Sequence, residues 1–268
     1  MTLTELFQQK KFVITSEVGP PKGWQTEKML EELQCLKGKV DALNVTDIQS
    51  AVMRLGSLVV CHFLKEKGFE PVLQITTRDR NRLSLQSEFL GAAAFGVKNI
   101  LCLTGDHPLL GDHPEAMPVF DLDSVSLLQA GSTLMKGEDL SGNRLDGESP
   151  RFCLGCVINP GADPLAPQLH KLKKKIKAGA EFVQTQAVYE PDRFACFMER
   201  VRREIGEIPV MAGIVLLKSA GMAKFMNANV AGVHVPDELI KEMTLAKGTP
   251  VEEKKRKSVE ISVRLVKA

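Results

Sequence analysis

The chain has 268 residues, of which 44% are hydrophobic and 25% are charged, and its formal net charge is +2. This is the composition of an ordinary globular protein, long enough for one α/β barrel or two smaller domains. The small net charge, with a single Trp and a single Tyr, gives no reason to expect nucleic acid or a membrane surface as a partner.

The amino-terminal segment and the cysteines predict a cytoplasmic location. Residues 1–11 carry charges and have no long apolar core, so we expect no signal peptide. No window of 18 apolar residues occurs, so we expect no membrane span. Most of the six cysteines lie inside apolar runs, which is typical of reduced, buried thiols in the cytoplasm.

Short apolar runs that end in polar turns alternate along the chain with segments of helical periodicity. The runs predict strands at residues 12–18, 42–48, 71–77, 100–103, 152–158, 182–189 and 209–215. The periodic segments predict helices at residues 26–36, 51–67, 83–95, 124–135, 165–178, 193–205, 218–226, 236–243 and 251–267. Residues 136–150 are polar and rich in Gly, Asp and Glu, and they predict an exposed excursion within a single domain over residues 1–268.

Regular alternation of strands and helices predicts right-handed βαβ units in a parallel sheet, and therefore the α/β class. Seven or eight such units are typical of the (β/α)8 TIM barrel. We expect this fold without its last strand in this chain, because no eighth strand pattern follows the final helix. A doubly wound open sheet is the alternative, but the chain has no Gly-x-Gly-x-x-Gly motif to support a dinucleotide site.

Polar residues follow the predicted strands at the ends where a barrel of this type builds its active site. The fourth run ends in Thr-Gly-Asp-His-Pro, which places Asp106 beside Gly105, where a ligand can approach the backbone closely. Glu17 lies in an apolar strand, where burial would favour the protonated form that a general acid needs. The set suits a planar, hydrogen-bonding ligand and comprises Glu17, Thr46, Asp47, Gln74, Thr76, Thr104, Asp106, Asn159 and Gln186.

Each of these residues also has a structural interpretation as a helix cap or a turn former, and for Asp47 and Asn159 the two interpretations carry equal weight. Cys153 and Cys156 form a CxxC, but side chains three apart on a strand point to opposite faces and cannot chelate one metal. Gly-Asp-His-Pro occurs at residues 105–108 and 111–114, and a divalent metal is the less favoured alternative to a loop-shaping role. We expect no metal site.

Six fragments in order along the chain resemble one family. They are SEVGPP at residues 16–21, NVT at 44–46, LTGD at 103–106, LKKKIKAGA at 172–180, TQ at 185–186 and AGI at 212–214. With these fragments the chain resembles methylenetetrahydrofolate reductase, a family of flavin-dependent (β/α)8 enzymes of one-carbon metabolism. The resemblance covers nearly the whole chain and is strongest to the anaerobic, acetogen-type branch.

The resemblance implies reduction of 5,10-methylenetetrahydrofolate to 5-methyltetrahydrofolate through a bound flavin, usually FAD with FMN as the alternative, on the way to methionine. By the same resemblance Glu17 would be the general acid that protonates the pterin, Asp106 would lie between flavin and folate, and Gln186 would hydrogen-bond the pterin. The flavin would be lined by Thr46, Gln74, Thr76, Thr104, Gly105, Asp106 and Asn159, with Lys174 and Lys175 facing its phosphates or ribose.

The source of the electrons stays open, because the chain departs from the family pattern where nicotinamide and folate stack in turn on the flavin. Val18 and Gly19 stand where two aromatic residues are common, and Thr104 stands where many members have Arg. Many members carry an aromatic segment after Thr-Gln, where this chain has Ala-Val-Tyr at residues 187–189. The donor is therefore NAD(P)H or a partner. In the acetogen-type branch a small iron–sulfur or zinc subunit is often associated, which implies a hetero-complex or a homo-oligomer.

Two other classes of function are kept as alternatives. A pterin-binding methyltransferase barrel would share folate recognition without flavin or redox chemistry. A non-catalytic barrel could serve as a scaffold in a larger one-carbon complex, although a scaffold does not need Glu17, Asp106 and Gln186 together. A bound flavin distinguishes the reductase from both alternatives.

Overall fold

The structure is a computed structural model that describes residues 2–230, 232–245 and 250–268. Its strands are β1 (Thr15–Val18), β2 (Ala42–Val45), β3 (Pro71–Thr76), β4 (Asn99–Leu103), β5 (Cys153–Ile158), β6 (Phe182–Ala187) and β7 (Val210–Gly213). Its helices are α1 (Leu3–Gln8), α2 (Glu27–Leu33), α3 (Ser57–Glu66), α4 (Arg82–Ala94), α5 (Ser124–Leu134), α6 (Ala166–Lys177), α7 (Pro191–Glu204), α8 (Ala220–Asn229), α9 (Asp237–Leu245) and α10 (Val251–Lys267).

The strands form one sheet in the sequential order β1 to β7. The pairs with a described register are parallel, as in Val18 opposite Val45 and Thr76 opposite Leu103. A doubly wound sheet reverses its strand order part-way along, whereas a (β/α)8 barrel adds each strand beside the previous one. The sequential order confirms the predicted barrel class, and the described residues contain no eighth strand.

The chain divides into two compact units, of which unit 1 comprises Met1–Cys156 and Lys174–Phe182. The strands β2 and β3 are buried along their whole length, as strands of a parallel sheet covered on both faces must be. Helix α1, which the sequence patterns do not predict, buries Leu3 and Leu6, and the backbone N–H of Leu3 donates to Asn99 Oδ1 at 3.1 Å. This helix adds apolar cover at the end of unit 1 where strand β4 begins.

Side-chain caps mark where two helices of unit 1, α4 and α5, begin. Asn81 Oδ1 accepts hydrogen bonds from the backbone N–H groups of the second and third residues of α4, and Asp123 Oδ1 does the same for α5. Such caps satisfy amide donors that have no partner within the helix, and each contributes about 1 kcal/mol. They fix the start of α4 and α5 directly after the polar loops that follow β3 and β4.

Unit 2 comprises Val157–Lys173 and Val183–Ala268. Its core gathers buried side chains from α8, α9 and α10 and from the loops that follow β6, β7 and α8, among them Tyr189, Leu217, Val235 and Ile261. The Tyr189 hydroxyl donates to the backbone carbonyl of Val215 at 2.8 Å, which satisfies the one polar group of a ring that is 3% exposed.

Several helices and strands predicted from the sequence are longer than those in the structure. The helix predicted at residues 51–67 begins only at Ser57, because residues 49–51 form a 3₁₀ turn in which Ser50 and Ala51 have positive φ. The strand predicted at residues 12–18 begins at Thr15, and the one predicted at residues 209–215 ends at Gly213.

In the described part of the chain, no helix has both the length and the apolarity needed to span a bilayer.

Candidate active site

Unit 1 brings the predicted polar residues of four strands to one edge of its sheet. Because β1 to β4 are parallel, their carboxyl ends lie at the same edge. Glu17 of β1 is aligned with Asn44 of β2, and the N–H of Thr46 donates to the carbonyl of Val18 at 3.0 Å. The residues placed at this edge are Glu17, Thr46, Asp47, Gln74, Thr76, Thr104, Gly105 and Asp106.

Asp47 is the centre of a buried hydrogen-bond network rather than a side chain open to a ligand. Its carboxylate is 2% exposed and accepts from the backbone N–H and the hydroxyl of Thr76, both at 2.8 Å, and from Ser57 at 3.3 Å. It also forms an ion pair with Arg80, whose guanidinium reaches Glu88 at 3.2 Å. A buried carboxylate needs such donors to offset its desolvation. The structure favours the structural interpretation of Asp47.

Arg78 joins the loops that follow β2, β3 and β4. Its side chain is almost fully buried, and two of its nitrogens form a bidentate pair with Asp79 at 2.8 and 2.7 Å. The remaining donors reach the backbone carbonyls of Asp106 at 3.1 Å and Ile48 at 3.2 Å. Arginine suits this role because its planar fork presents several donors in fixed directions. The position of Asp106 therefore depends on Arg78.

Glu17 is exposed at the end of β1, so the predicted burial of this carboxylate is wrong. Strand β1 has only four residues, and alternation along it directs Glu17 away from the side that buries Val18. One carboxylate oxygen, Oε1, accepts a hydrogen bond from Gln49 Nε2 at 3.2 Å. This contact orients the carboxyl group and leaves Oε2 for a proton.

Asp106 presents an exposed carboxylate that makes no hydrogen bond or ion pair with the described residues, while its backbone is held in place. Gly105 has a φ of +90°, and its backbone packs tightly on β3, since a Cβ added there would lie 3.1 Å from Cβ of Thr76. A side chain would be strained at that φ and crowded at that distance. Glycine thus allows the turn that directs Asp106 outward.

The loop after Asp106 is fastened to neighbouring loops by Asp112. This carboxylate accepts from Lys22 Nζ at 2.7 Å and from the backbone N–H of Met53 at 2.9 Å, and it lies 3.0 Å from His113 Nδ1. These hydrogen bonds, led by that from Lys22, hold the pKa of Asp112 well below its usual range. In the first repeat, His107 Nδ1 accepts from the N–H of Leu109 at 3.2 Å. Both Gly-Asp-His-Pro repeats therefore act in shaping the loop.

The hydroxyl groups at the edge are mostly engaged in hydrogen bonds within the protein. The side chains of Gln74 and Asp106 make no hydrogen bond with the described residues and are open to a ligand. Thr46 donates to the carbonyl of Val18 at 3.4 Å, Thr76 donates to Asp47, and Thr104 Oγ1 accepts from the N–H of Ser124 at 3.3 Å. The Gln74 side chain makes no hydrogen bond with the described residues, although it is only 9% exposed. An open amide and an open carboxylate fit a heterocycle with both N–H donors and carbonyl acceptors, such as a flavin or a pterin.

The two lysines implied for the cofactor phosphates differ in exposure. Lys174 is exposed on α6, whereas Lys175 is buried in unit 1. Burial raises the pKa of the Cys156 thiol to about 11, and the nearby Lys175 charge acts in the opposite direction. Lys175 exerts the same effect on Cys102. Of the two lysines, Lys174 is the one open to a phosphate.

Unit 2 carries the other two predicted residues. Gln186 is exposed near the end of β6, and its backbone carbonyl accepts from the Thr185 hydroxyl at 2.8 Å. Asn159 Oδ1 accepts from the N–H of Gly161 at 3.1 Å, and its side chain packs against Gly232 so closely that a Cβ there would lie 2.0 Å from Asn159 Nδ2. Asn159 thus forms a turn, in line with its structural interpretation.

Beside these residues, unit 2 has a pocket of about 20 Å³ after β6. Glu190 Oε2 lies in it 3.1 Å from His234 Nδ1 and 3.5 Å from Arg193 Nη1. That volume holds about one water molecule and excludes a ring. The sequence patterns do not reveal this cluster, because its members are separated by up to 44 positions (190 to 234) and have no ligand spacing.

Sequence reasoning also missed Arg78 and Arg80, although a signal was present. Three charged residues, 78–80, follow one position after the end of the fully buried strand β3. Charged groups at such a position must be paired.

For metal binding, the described residues contain no group of three or more His, Cys, Asp or Glu side chains that could hold an ion.

A family model and the sequence relatives with curated names point to one family. A family model described as methylenetetrahydrofolate reductase matches residues 2–268. "Methylenetetrahydrofolate reductase 2" of Schizosaccharomyces pombe is 29% identical over 189 residues, which cover 65% of this chain and 27% of that protein. A "Probable methylenetetrahydrofolate reductase (NADPH)" of Caenorhabditis elegans is 27% identical over 208 residues, which cover 76% of this chain and 28% of that protein. The chain thus matches little more than a quarter of the length of these relatives.

Solved structures share the fold at low identity. An uncharacterised protein from Clostridium thermocellum that binds two copies of 5-methyl-5,6,7,8-tetrahydrofolic acid aligns with a TM-score of 0.62 at 15% identity, over 99% of this chain and 87% of that one. A 2,3-dimethylmalate lyase aligns with a TM-score of 0.51 at 11% identity, over 97% of this chain and 90% of that one. These likenesses concern the fold alone.

Proposed function

We propose that this chain, which belongs to the methylenetetrahydrofolate reductase family, catalyses the flavin-dependent reduction of 5,10-methylenetetrahydrofolate to 5-methyltetrahydrofolate. The observation that carries the proposal is the separation of the strand-end residues into two groups. Asp47, Thr76 and Asn159 are engaged in internal hydrogen bonds, whereas Glu17, Asp106 and Gln186, the three implied to touch the pterin, are exposed. The family model, which spans residues 2–268, supports the same activity.

In this mechanism Glu17 delivers the proton that opens the methylene bridge of the substrate. Oε2 is the oxygen from which the proton would pass to the substrate, while the hydrogen bond from Gln49 to Oε1 keeps the carboxyl group directed. Protonation of the other bridging nitrogen, N10, which lies outside the pterin ring, breaks its bond to the methylene carbon. The carbon is then left as an iminium on the pterin nitrogen N5, and hydride addition to it gives the 5-methyl product. General acid catalysis of this kind contributes roughly 10²–10⁴-fold to the rate.

The other residues bind and orient. Asp106 provides a negative charge beside the ring, and Gln186 hydrogen-bonds the pterin edge. Gln74, Gly105 and the exposed Lys174 would hold the flavin, FAD or FMN, with Thr46, Thr76, Thr104, Asn159 and the buried Lys175 in supporting positions. The bound flavin, once reduced, supplies the hydride that the substrate carbon accepts.

The electron donor is NAD(P)H or a partner protein, and the two make different demands on the site. Thr104 leaves no cation before Gly105. Residues 187–189 are Ala-Val-Tyr, and the ring of Tyr189 is buried, so the surface for stacking a nicotinamide is reduced. Delivery by an iron–sulfur or zinc partner in a hetero-complex needs no such surface. A reducing cytoplasm as the place of reaction agrees with six cysteines that are all unpaired.

The test is an anaerobic spectrum of the chain loaded with stoichiometric flavin and reduced with dithionite. We expect reoxidation of the flavin when 5,10-methylenetetrahydrofolate is added. Glu17→Gln should slow that reoxidation at least 100-fold and leave reduction of the flavin by dithionite unchanged, since only the folate step uses the proton. Glu27→Gln, at an exposed glutamate on α2, is the matched control and should behave like the wild type.

The outcomes separate the candidate functions. Equal loss of both half-reactions in Glu17→Gln would contradict the acid role of Glu17. Failure to bind any flavin, together with binding of the folate, would favour a pterin-binding methyltransferase barrel. Failure to bind either ligand would favour the scaffold.

A further inference from the structure

A second cavity lies in unit 1 at the edge of the sheet opposite to the candidate active site. It has a volume of about 400 Å³ and is bordered by the first residue of β2, Ala42, and by Glu70, which directly precedes β3. Parallel strands begin at one edge and end at the other, so this cavity is separate from the strand-end residues. Its volume lies within the usual range for sites that hold small organic molecules.

Three lysines and two carboxylates line this cavity. Lys11 Nζ lies 2.5 Å from Asp41, Lys65 Nζ lies 3.1 Å from Glu70, and Lys37 Nζ donates to the carbonyl of Lys67 at 3.1 Å. Three ammonium groups against two carboxylates leave one excess positive charge (3 − 2 = 1). Lys37, which makes no ion pair with a described carboxylate, is the source of that excess.

Each carboxylate oxygen already accepts one hydrogen bond, and the lysines, which have three donors each, have donors to spare. Asp41 accepts from Lys11 and from the N–H of Ile14, and Glu70 accepts from Lys65 and from Asn99 Nδ2 at 2.8 Å. Every ammonium has three N–H donors and spends one on these contacts. A ligand that enters therefore meets unused donors and positive charge, which is the setting for an oxygen-rich anion.

The cavity also has an apolar part. Leu6 of α1 and Phe69 are buried side chains that line it, at 3% and 7% exposure, beside Ala42. An inorganic ion uses none of this surface, whereas an organic molecule would cover the small part of it that is still exposed, at a gain of roughly 25 cal/mol per Å² covered. The lining therefore favours an anion that carries an apolar body.

From this arrangement we propose that the cavity bordered by Lys11, Lys37 and Lys65 binds a small organic anion, with a phosphate or carboxylate head at the lysines and an apolar body against Leu6 and Phe69. The proposal is independent of the reductase activity. The N-terminal edge of a barrel sheet carries no catalytic residues as a rule, so a ligand here would act on the stability of the fold or on its regulation.

The experiment is a calorimetric titration of the full chain with phenyl phosphate at constant ionic strength. We expect saturable binding of one equivalent that weakens about tenfold in Lys37→Gln, the loss of one charge-assisted hydrogen bond. Lys39→Gln is the matched control, because Lys39 is an exposed lysine two positions away that does not line the cavity. It should bind like the wild type.

A parallel titration with inorganic phosphate tests the apolar part. Weaker binding of inorganic phosphate than of phenyl phosphate supports the proposal. Equal binding of phenyl phosphate and inorganic phosphate would contradict the proposed contact of an apolar group with Leu6 and Phe69, since the apolar lining would then contribute nothing. Equal effects of Lys37→Gln and Lys39→Gln, or no saturable binding, would overturn the site itself.

Discussion

At the scale of single residues, hydrogen-bond partners separate side chains that look alike in the sequence. Asp47 and Asp106 both follow a strand, yet one is enclosed by donors and the other is exposed. Thr76 and Gln74 are neighbours on β3, but the threonine hydroxyl is bonded to Asp47 and the glutamine amide is open. The edge of the sheet thus combines fixed structural groups with groups available to a ligand.

Asp47→Asn tests this division through stability. The amide keeps the shape of the carboxylate but removes its charge and places an NH₂ against the donors of Thr76 and Arg80. Breaking a buried ion pair of this kind costs about 3–5 kcal/mol in the free energy of unfolding. Urea denaturation should show this loss in Asp47→Asn and a change within about 0.5 kcal/mol in the control Asp146→Asn, which alters an exposed loop residue. Unchanged stability with weaker flavin binding would instead assign Asp47 to the ligand.

At the scale of secondary-structure elements, β5 is placed by a contact that only glycine permits. A Cβ built at Gly155 would lie 2.1 Å from Cζ of Phe182, and Phe182 is fully buried with its ring 5.9 Å from that of Phe7 on α1. The ring therefore occupies the space that a side chain at residue 155 would need. The absence of a side chain links β5, β6 and α1 in the core of unit 1.

Gly155→Ala should consequently destabilise the protein by overpacking, at about 1–3 kcal/mol, because the clash is with a buried ring and not with a flexible chain end. Thermal or urea unfolding measures the loss. Gly23→Ala is the control, since nothing lies within 4 Å of a Cβ at Gly23 and its φ is not positive. Phe182→Leu in the Gly155→Ala background should recover part of the stability. A neutral Gly155→Ala would show that the ring can move away at no cost.

At the scale of the whole molecule, acidic groups with lowered pKa outnumber those with raised pKa. Hydrogen bonds from the Arg82 side chain lower the pKa of Asp121 to about 2. The pKa is also lowered for Asp41, Asp112, Asp139, Glu204 and Glu242, whereas burial raises it for Glu88 and Glu181. A lowered carboxylate pKa contributes stability that is present above the unfolded pKa and is lost as the pH falls through the folded pKa.

The melting temperature should therefore fall as the pH drops from about 4 to about 2, the interval between the ordinary and the folded pKa of Asp121. Asp121→Asn has no carboxylate to take up a proton in that interval, so its melting temperature should fall less steeply than that of the wild type. Asp146→Asn should keep the wild-type slope. Identical slopes for the wild type and Asp121→Asn would show that the pair with Arg82 contributes nothing to acid stability.

The sequence by itself determined the α/β class, the number and order of the strands, and the positions of most polar side chains at the strand ends. It could do so because burial on both faces of a parallel sheet demands continuous apolar runs, and because each run must end where the chain meets water. The family fragments added the roles implied for Glu17, Asp106 and Gln186.

Only the tertiary structure decided which polar groups form hydrogen bonds within the protein and which are open to a ligand. The donors that surround Asp47 come from residues 57, 76 and 80, and Arg78 holds carbonyls at positions 48 and 106, so these pairings depend on the folding of distant segments. The same holds for α1 over the sheet and for the lysine-lined cavity, whose residues are distributed from position 6 to position 70. Local periodicity reports the face that an element buries, whereas the partner against which it is buried depends on long-range packing.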